Sequence, residues 1–97
     1  MASIQLKKAY EGKSDNEVYE AAIKAIPNAG LTVWKKRELA RLVLGTGNVD
    51  GQEVRCNIVV SMLDGSVTVS AEADDLPEEK LTQTAEKLLV ELDKLLA

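Results

Sequence analysis

The clearest pattern in the chain is an alternation of apolar and polar residues over two neighbouring segments. In residues 53–62 and 67–73, nearly every second side chain is apolar, which is typical of half-buried strands. The predicted inward residues are Val54, Cys56, Ile58, Val60, Met62, Val67, Val69, Ala71 and Ala73. Asp64-Gly65 lies between the segments and is typical of a two-residue hairpin turn. The pattern predicts an antiparallel hairpin with one covered face and one wet face.

A first helix is predicted after Ser14. The Ser14 side chain can accept a hydrogen bond from the amide of Glu17, whose carboxylate can reach back, which makes a capping box. Apolar residues then recur at steps of three and four: Val18, Ala22, Ala25, Ile26 and Ala29. Pro27 disfavours further helix and Gly30 can adopt a positive φ, so we expect the helix to end in this region.

A second helix is predicted from about Asp75 to the end of the chain, with Asp75 as its cap and Pro77 in its first turn. Its apolar stripe consists of Leu81, Ala85, Leu88, Leu92 and Leu95. Leu89 and Leu96 widen the stripe. The main interpretation is packing against the sheet, and a homodimer contact through part of the stripe is the alternative.

The remaining segments are less regular. Residues 4–10 predict a first strand at a sheet edge. Residues 31–44 are long for one strand and change their in–out parity, so they form either one strand with a bulge near Lys35 to Arg37 or two short strands. Residues 45–51 have the composition of a turn throughout.

These elements predict a single α+β domain over residues 1–97, in the order β-α-β-β-β-α. We expect one mostly antiparallel sheet of about four strands with both helices packed on its apolar face. The first helix should make a right-handed crossover, which would place the first strand parallel to its neighbour. The sequence leaves open whether that neighbour is the second or the fourth predicted strand.

Composition narrows the chemistry. The chain has no His, so the commonest general base and the commonest metal ligand are both missing. The single Cys56 points toward the predicted core, where it should act as a small buried hydrophobe. The acidic run around Asp74-Asp75 and Glu78-Glu79 lacks the spacing of a calcium loop. We therefore expect no enzyme activity, no metal and no cofactor.

The overall charge and hydropathy bear on location. The formal net charge is −4, which disfavours a general nucleic-acid binder because such proteins are usually basic. No run of 18 apolar residues is present, and the beginning of the sequence is unlike a signal peptide. We expect a cytoplasmic protein without a membrane span. The alternative is an exported or lipid-anchored protein whose leader has been removed.

One concentration of positive charge lies beside an aromatic residue, and it consists of Trp34, Lys35, Lys36, Arg37 and Arg41. Basic side chains with a stacking ring can hold an anion, a single-stranded nucleic acid or a protein partner. The alternative is a solvated, bulged edge strand. A bulge would also split the group between two faces.

The polar face of the predicted hairpin carries Arg55, Asn57, Thr68 and Ser70. These side chains could contact a partner, but the face lacks the paired aromatic residues of an RNA-binding sheet. The main interpretation is a plain wet face.

Residues 14–23 and 29–31 resemble segments of small uncharacterised bacterial domains of β-α-β-β-β-α order, and the order of elements resembles helix-grip, Bet v 1-like lipid-binding proteins. The helix-grip resemblance implies a curved sheet closed by a long C-terminal helix. The chain departs from that pattern by its shorter sheet, which leaves little room for a lipid cavity, and the resemblance carries no functional residue.

The function predicted from these observations is a non-catalytic interaction or ligand-binding domain, in which self-association is one possibility. Its partner would be an unidentified protein or small ligand. The alternative is a small nucleic-acid or anion binder that uses the region from Trp34 to Arg41.

Overall fold

The computed structural model describes residues 2–97 and forms one antiparallel sheet with two helices. In chain order the elements are β1 (Ala2–Lys8), α1 (Asp15–Asn28), β2 (Thr32–Arg37), a short 3-10 helix (Glu38–Ala40), β3 (Leu42–Val49), β4 (Gln52–Val60), β5 (Val67–Ala73) and α2 (Glu78–Leu96). The predicted α+β class is confirmed. The sheet has five strands instead of about four, because residues 31–44 contain parts of two strands.

The strand order is β1-β5-β4-β3-β2, and every neighbouring pair is antiparallel. The predicted parallel pairing of the first strand is wrong, since β1 pairs with β5 in an antiparallel register that places Leu6 opposite Val69. The crossover through α1 connects the two edges of the sheet. β1 and β2 therefore run in the same direction, but three strands lie between them.

The irregularity predicted in residues 31–44 is present, and both alternatives contribute to it. A register shift lies between Val33 and Lys35, and the 3-10 helix then separates β2 from β3. Arg41 ends that helix in the left-handed region, with φ of 51°. Together these features reverse the direction of the chain between the edge strand β2 and its neighbour β3.

The turn predicted over residues 45–51 is mostly wrong, because β3 continues to Val49. Gly45 and Gly47 face the helices, where side chains approach the strand closely. A Cβ atom on Gly45 would lie 2.9 Å from Ile26 Cγ2, and one on Gly47 would overlap the Leu31 side chain. These glycines allow close packing of a strand, and the turn itself is limited to Asp50 and Gly51.

The core lies between the inner face of the sheet and the two helices. Val54, Ile58, Val67 and Val69 are fully buried, as the alternation predicts. The helices contribute the fully buried residues Val18, Ala22, Ala25, Ile26, Leu81, Ala85, Leu88 and Leu92. This layer is filled by side chains of both secondary-structure types.

Two of the four predicted helix and hairpin ends need correction, and α1 ends at Asn28 within the region predicted. Ser14 caps α1 as predicted, accepting from the Glu17 amide at 3.1 Å. α2 begins after Pro77, and Asp75 is not its cap. The hairpin joining β4 and β5 uses a longer loop over residues 61–66, closed by a 2.8 Å hydrogen bond from the Ser61 amide to the Ser66 carbonyl.

Hydropathy gives one further result. Within residues 2–97, no helix is both long enough and apolar enough to cross a membrane.

Candidate functional site

The antiparallel register arranges the polar residues of the outer sheet face in two rows that cross the strands. In one row, Gln5 is opposite Ser70, Ser70 is opposite Asn57, and Asn57 is opposite Leu44. In the next row, Ser3 is opposite Glu72, Glu72 is opposite Arg55, and Arg55 is opposite Thr46. Since opposite residues in antiparallel strands have adjacent side chains, four strands present one continuous polar surface.

This surface contains an open groove of about 550 Å³. Its lining consists of Ser3, Ile4, Gln5, Trp34, Leu44, Arg55, Cys56, Asn57, Ser70, Ala71 and Glu72. The volume lies in the range of about 300–1,000 Å³ that is usual for small-molecule sites. The groove therefore spans the sheet from β1 to β2, on the side opposite the helices.

An apolar wall closes the groove on the β2 side. Trp34 lies at the register shift of β2 and is 56% exposed. Leu44 lies next to it on β3. A ring in this position offers a flat surface for stacking. The groove thus combines an apolar wall with hydrogen-bonding groups along its floor.

Two charged side chains, Arg55 and Glu72, belong to the lining. Arg55 Nε lies 3.3 Å from Glu72 Oε1, and Arg55 Nη2 lies 3.6 Å from Asp74 Oδ1. The short Nε contact does not have hydrogen-bond geometry, so this buried nitrogen has no hydrogen-bond partner within residues 2–97. The Nε atom is enclosed beside the Glu72 carboxylate, and this ion pair leaves the groove close to neutral.

The structure distributes the predicted basic group over two sides of the sheet. Trp34 lines the groove, Lys35 is opposite the outward Leu44, and Arg37 is opposite the outward Leu42. Lys36 is opposite the inward Val43.

Arg41, the remaining member of the group, is directed toward α1. Its Nε lies 3.1 Å from Asp15 Oδ2, its Nη1 donates to the Glu38 carbonyl at 2.7 Å, and its guanidinium lies over the Tyr19 ring. These contacts are typical of a residue that joins a loop to a helix.

Cys56 lies in the lining of the groove, but its side chain is only 3% exposed. Burial raises the pKa of the Cys56 thiol to about 11, and a backbone hydrogen bond from Gly45 opposes this only in part. The thiol is therefore protonated at neutral pH, when it is a weak nucleophile.

A second polar cluster joins the end of β1 to α2. Lys8 Nζ lies 2.7 Å from Asp93 Oδ1, and the Tyr10 hydroxyl donates to the same oxygen at 2.8 Å. The hydrogen bond from Lys8 is the main cause that lowers the pKa of Asp93, and burial is the main cause that raises the pKa of Tyr10. The lowered pKa keeps Asp93 ionised as an acceptor and the raised pKa keeps the Tyr10 hydroxyl protonated as a donor. The hydrogen bonds therefore tether β1 to α2 at neutral pH.

Most of the apolar stripe of α2 packs in the core. Leu81, Ala85, Leu88 and Leu92 are fully buried, whereas Val90 and Leu95 remain exposed. These two positions are five residues apart, so they lie on different sides of the helix.

Sequence reasoning identified the polar outer face but did not predict a groove in it. Arg55, Asn57 and Ser70 were expected to point outward, and they line the groove, whereas the outward Thr68 does not. The signal for the site is the register between strands. The alternation within one strand does not contain it.

Comparisons with known proteins show a shared fold. No protein-family model and no curated protein matches the sequence. A TBP-like protein from Parabacteroides distasonis is structurally similar, with a TM-score of 0.56, 10% identity, and coverage of 97% of this chain and 91% of that chain. A protein from Thermus thermophilus gives a TM-score of 0.53 at 13% identity, covering 98% of this chain and 97% of that chain.

Ara h 8.0201 is also similar, with a TM-score of 0.53, 9% identity and coverage of 98% of this chain and 97% of that chain. The resemblance to small helix-grip domains that the order of elements suggests is therefore confirmed at the level of the fold. This chain shares its architecture with TBP-like and Bet v 1-like domains, and at these identities the likeness establishes the fold alone.

Proposed function

We propose that this protein is a non-catalytic binding domain and that it holds a small organic ligand in the groove on the outer face of its sheet. The observation that carries the proposal is the groove of about 550 Å³, which has an apolar wall at Trp34 and polar groups on its floor. Small-molecule sites also combine apolar surface with placed polar groups, and in this groove the polar part of the lining is the larger.

The packing on the other side of the sheet supports this location. In helix-grip proteins a ligand cavity is expected between sheet and helix, but here that layer contains the fully buried side chains of Ile26, Ile58 and Leu88. Gly45 and Gly47 lack the space even for an added Cβ atom. A ligand of this domain is therefore expected outside the core.

The lining indicates the chemistry of the ligand. Trp34 and Leu44 suit a flat apolar part, and the side chains of Asn57 and Ser70 suit a group that both donates and accepts hydrogen bonds. The guanidinium of Arg55, whose side chain is 40% exposed, can add a contact to a carbonyl or carboxylate oxygen. We infer an aromatic amide or an aromatic carboxylate of modest size.

The experiment is a fragment screen with aromatic amides and aromatic carboxylates, followed by nuclear magnetic resonance of the labelled protein. Expected shifts fall on Asn57, Ser70 and the indole of Trp34. Ser70→Tyr places a ring in the groove and should abolish binding. Thr68→Tyr is the matched control, because Thr68 lies on the same strand and the same face but outside the groove.

Two results would contradict the proposal. One is a set of shifts confined to the helices, and the other is equal binding by Ser70→Tyr and Thr68→Tyr. If neither class of fragment binds at all, the groove is a wet sheet surface without a ligand of the chemistry inferred here.

A second candidate is an anion or single-stranded nucleic acid bound by Trp34, Lys35 and Arg37. It is favoured by the register, which directs the charged pair of residues to the outer face beside the exposed ring. Lys36 and Arg41 do not contribute to this arrangement. Titration with oligonucleotides, followed by the fluorescence of the single Trp, should then give a response that weakens as salt is added. Absence of a salt-sensitive response would eliminate this candidate.

A further inference from the structure

Three large apolar side chains protrude from two loops at one end of the molecule. Leu39 in the 3-10 helix is 94% exposed, and in the loop between β4 and β5 Leu63 is 98% exposed and Met62 is 61% exposed. We call these three residues the apolar tip. Single exposed apolar residues are common on protein surfaces, but almost complete exposure of two leucines on adjacent loops is not.

The two loops are adjacent because the β3–β4 ladder continues into them. The Val60 amide donates to the Arg41 carbonyl at 2.9 Å, beyond the last ladder pair of Leu42 and Val59. Leu39 and Met62 are each two residues away from this hydrogen bond. The apolar tip is therefore one surface feature built from two loops.

Hydrogen bonds hold the hairpin loop in this shape. The Leu63 amide donates to Ser61 Oγ at 3.2 Å, the Gly65 amide to the Ser61 carbonyl at 3.0 Å, and the Ser66 amide to Asp64 Oδ1 at 2.9 Å. Arg41, bonded to Asp15 and to the Glu38 carbonyl, fixes the 3-10 helix in the same way. The polar groups are thus satisfied inside the loops, and the leucines are left outside.

Charge is divided between the two ends of the molecule. Near the apolar tip lie Lys7, which pairs with Thr68 beside the loop, Lys13, whose carbonyl approaches Gly65, and the pair Lys36-Arg37, which precedes the 3-10 helix. Within residues 2–97 none of these four cations forms an ion pair. The acids at this end are Glu11 in the loop with Lys13, Glu38 beside Leu39 and Asp64 beside Leu63, so the four cations exceed them by one.

The opposite end is acidic. The acids there are Asp50 in the turn after β3, Glu53 at the start of β4, Asp74 and Asp75 between β5 and α2, and Glu78 and Glu79 at the start of α2. The contact of 3.5 Å between Lys80 and Asp50 shows that the start of α2 lies beside the turn after β3. An anionic surface would therefore repel this end more strongly than the end with the apolar tip, where the four cations outnumber the neighbouring acids.

We propose that the apolar tip inserts into the interfacial region of an anionic lipid bilayer, with Lys7, Lys13, Lys36 and Arg37 placed near the head groups. Apolar side chains that enter the boundary between head groups and acyl chains, flanked by cations, are the usual elements of peripheral membrane binding. A bilayer accommodates separate protruding side chains without a shaped pocket. A protein partner would need a complementary pocket for each of them. The inference is independent of the ligand proposed for the groove.

The experiment is sedimentation of the protein with vesicles of equal parts phosphatidylserine and phosphatidylcholine, compared with vesicles of phosphatidylcholine alone. We expect binding to the anionic vesicles that weakens with added salt. The double variant Leu39→Ser with Leu63→Ser should bind at least roughly tenfold more weakly, because burial of one leucine side chain is worth about a factor of ten or more.

The matched control is Val90→Ser, which also removes an exposed apolar side chain, but on α2. It should bind vesicles like the unchanged protein, and so should Ser70→Tyr, which separates this inference from the groove. Equal binding by the double variant and the unchanged protein would overturn the proposal, as would failure of the unchanged protein to bind anionic vesicles.

A fluorescent label tests insertion directly. Leu63→Cys can be labelled selectively with an environment-sensitive dye, because the native Cys56 is buried and its pKa is raised. Anionic vesicles should shift the emission to shorter wavelength. If the dye responds to a second copy of the protein in a concentration series without lipid, and light scattering shows a dimer that the double variant does not form, then a protein surface covers the apolar tip and the bilayer proposal is wrong.

Discussion

The two faces of the sheet are built from the same strands with the same alternation, yet one face is closely packed and the other is open. On the inner face, Ile26 would be 2.9 Å from an added Cβ on Gly45. On the outer face, the neighbouring residue Leu44 borders open space, and a groove of about 550 Å³ lies across the strands. The inner face is therefore closely packed, whereas the outer face is open.

The largest effect on stability is expected from loss of close packing on the inner face. Leu88→Ala deletes most of a fully buried side chain between α2 and the sheet, and should lower the free energy of unfolding by about 2–5 kcal/mol. Val90→Ala on the same helix changes a half-exposed residue and should cost less than about 1 kcal/mol. Denaturant unfolding measures both. Similar losses for the two variants would mean that α2 is not docked through Leu88.

A smaller effect is expected from adding volume. Gly45→Ala brings a methyl group 2.9 Å from Ile26 Cγ2 and 3.0 Å from Cys56 Sγ, so α1 must shift or Ile26 must change its rotamer. The expected loss in the free energy of unfolding is about 1–3 kcal/mol. Part of it is offset because alanine makes the unfolded chain less flexible than glycine does. Thr46→Ala is the adjacent outer-face control and should stay within about 0.5 kcal/mol. A Gly45→Ala variant as stable as the unchanged protein would show that the inner layer can accommodate an added methyl group.

The inner face could be predicted from the sequence because burial leaves a periodic signal. Val54, Ile58, Val67 and Val69 follow the period of a strand, and all four are buried as that period predicts. Gly45 and Gly47 have the composition of a turn but lie within a strand, since the same residue type serves tight turns and tight packing. Only the position of Ile26 and Leu31 against β3 distinguishes the two uses.

The outer groove and the apolar tip could not be predicted in the same way. The groove depends on which residues face one another across strands, as Ser70 faces Asn57, and on the bulge that directs Trp34 outward. The tip depends on loop conformation, since Met62 continues the alternation of β4 in the sequence but lies beyond the end of the strand. Both are consequences of tertiary placement.

The smallest effect is expected at the edge where the two faces meet, at the tether of Lys8, Tyr10 and Asp93. Asp93→Asn removes the charge of the group that accepts hydrogen bonds from Lys8 and Tyr10. Because the side chains of Lys8 and Asp93 are each 44% exposed, solvent screens the pair, and the expected loss in unfolding free energy is only about 0.5–1 kcal/mol. Glu86→Gln, an exposed acid on the same helix, is the control and should change stability little.

The pH dependence distinguishes this ionic contribution from a packing defect. The pKa of Asp93 is lower in the folded protein, chiefly because Lys8 donates to it, so the carboxylate stabilises the fold at pH values above the ordinary pKa of an aspartate. As the pH falls through the lowered pKa, both states become protonated and the contribution is lost. The difference between the unchanged protein and Asp93→Asn should therefore be full at neutral pH and shrink in acid. If the difference in unfolding free energy stays constant down to acid pH, the shape of the Asp93 side chain holds β1 to α2. If it shrinks, charge holds the edge of the sheet together, in contrast to the inner face, which close packing holds together.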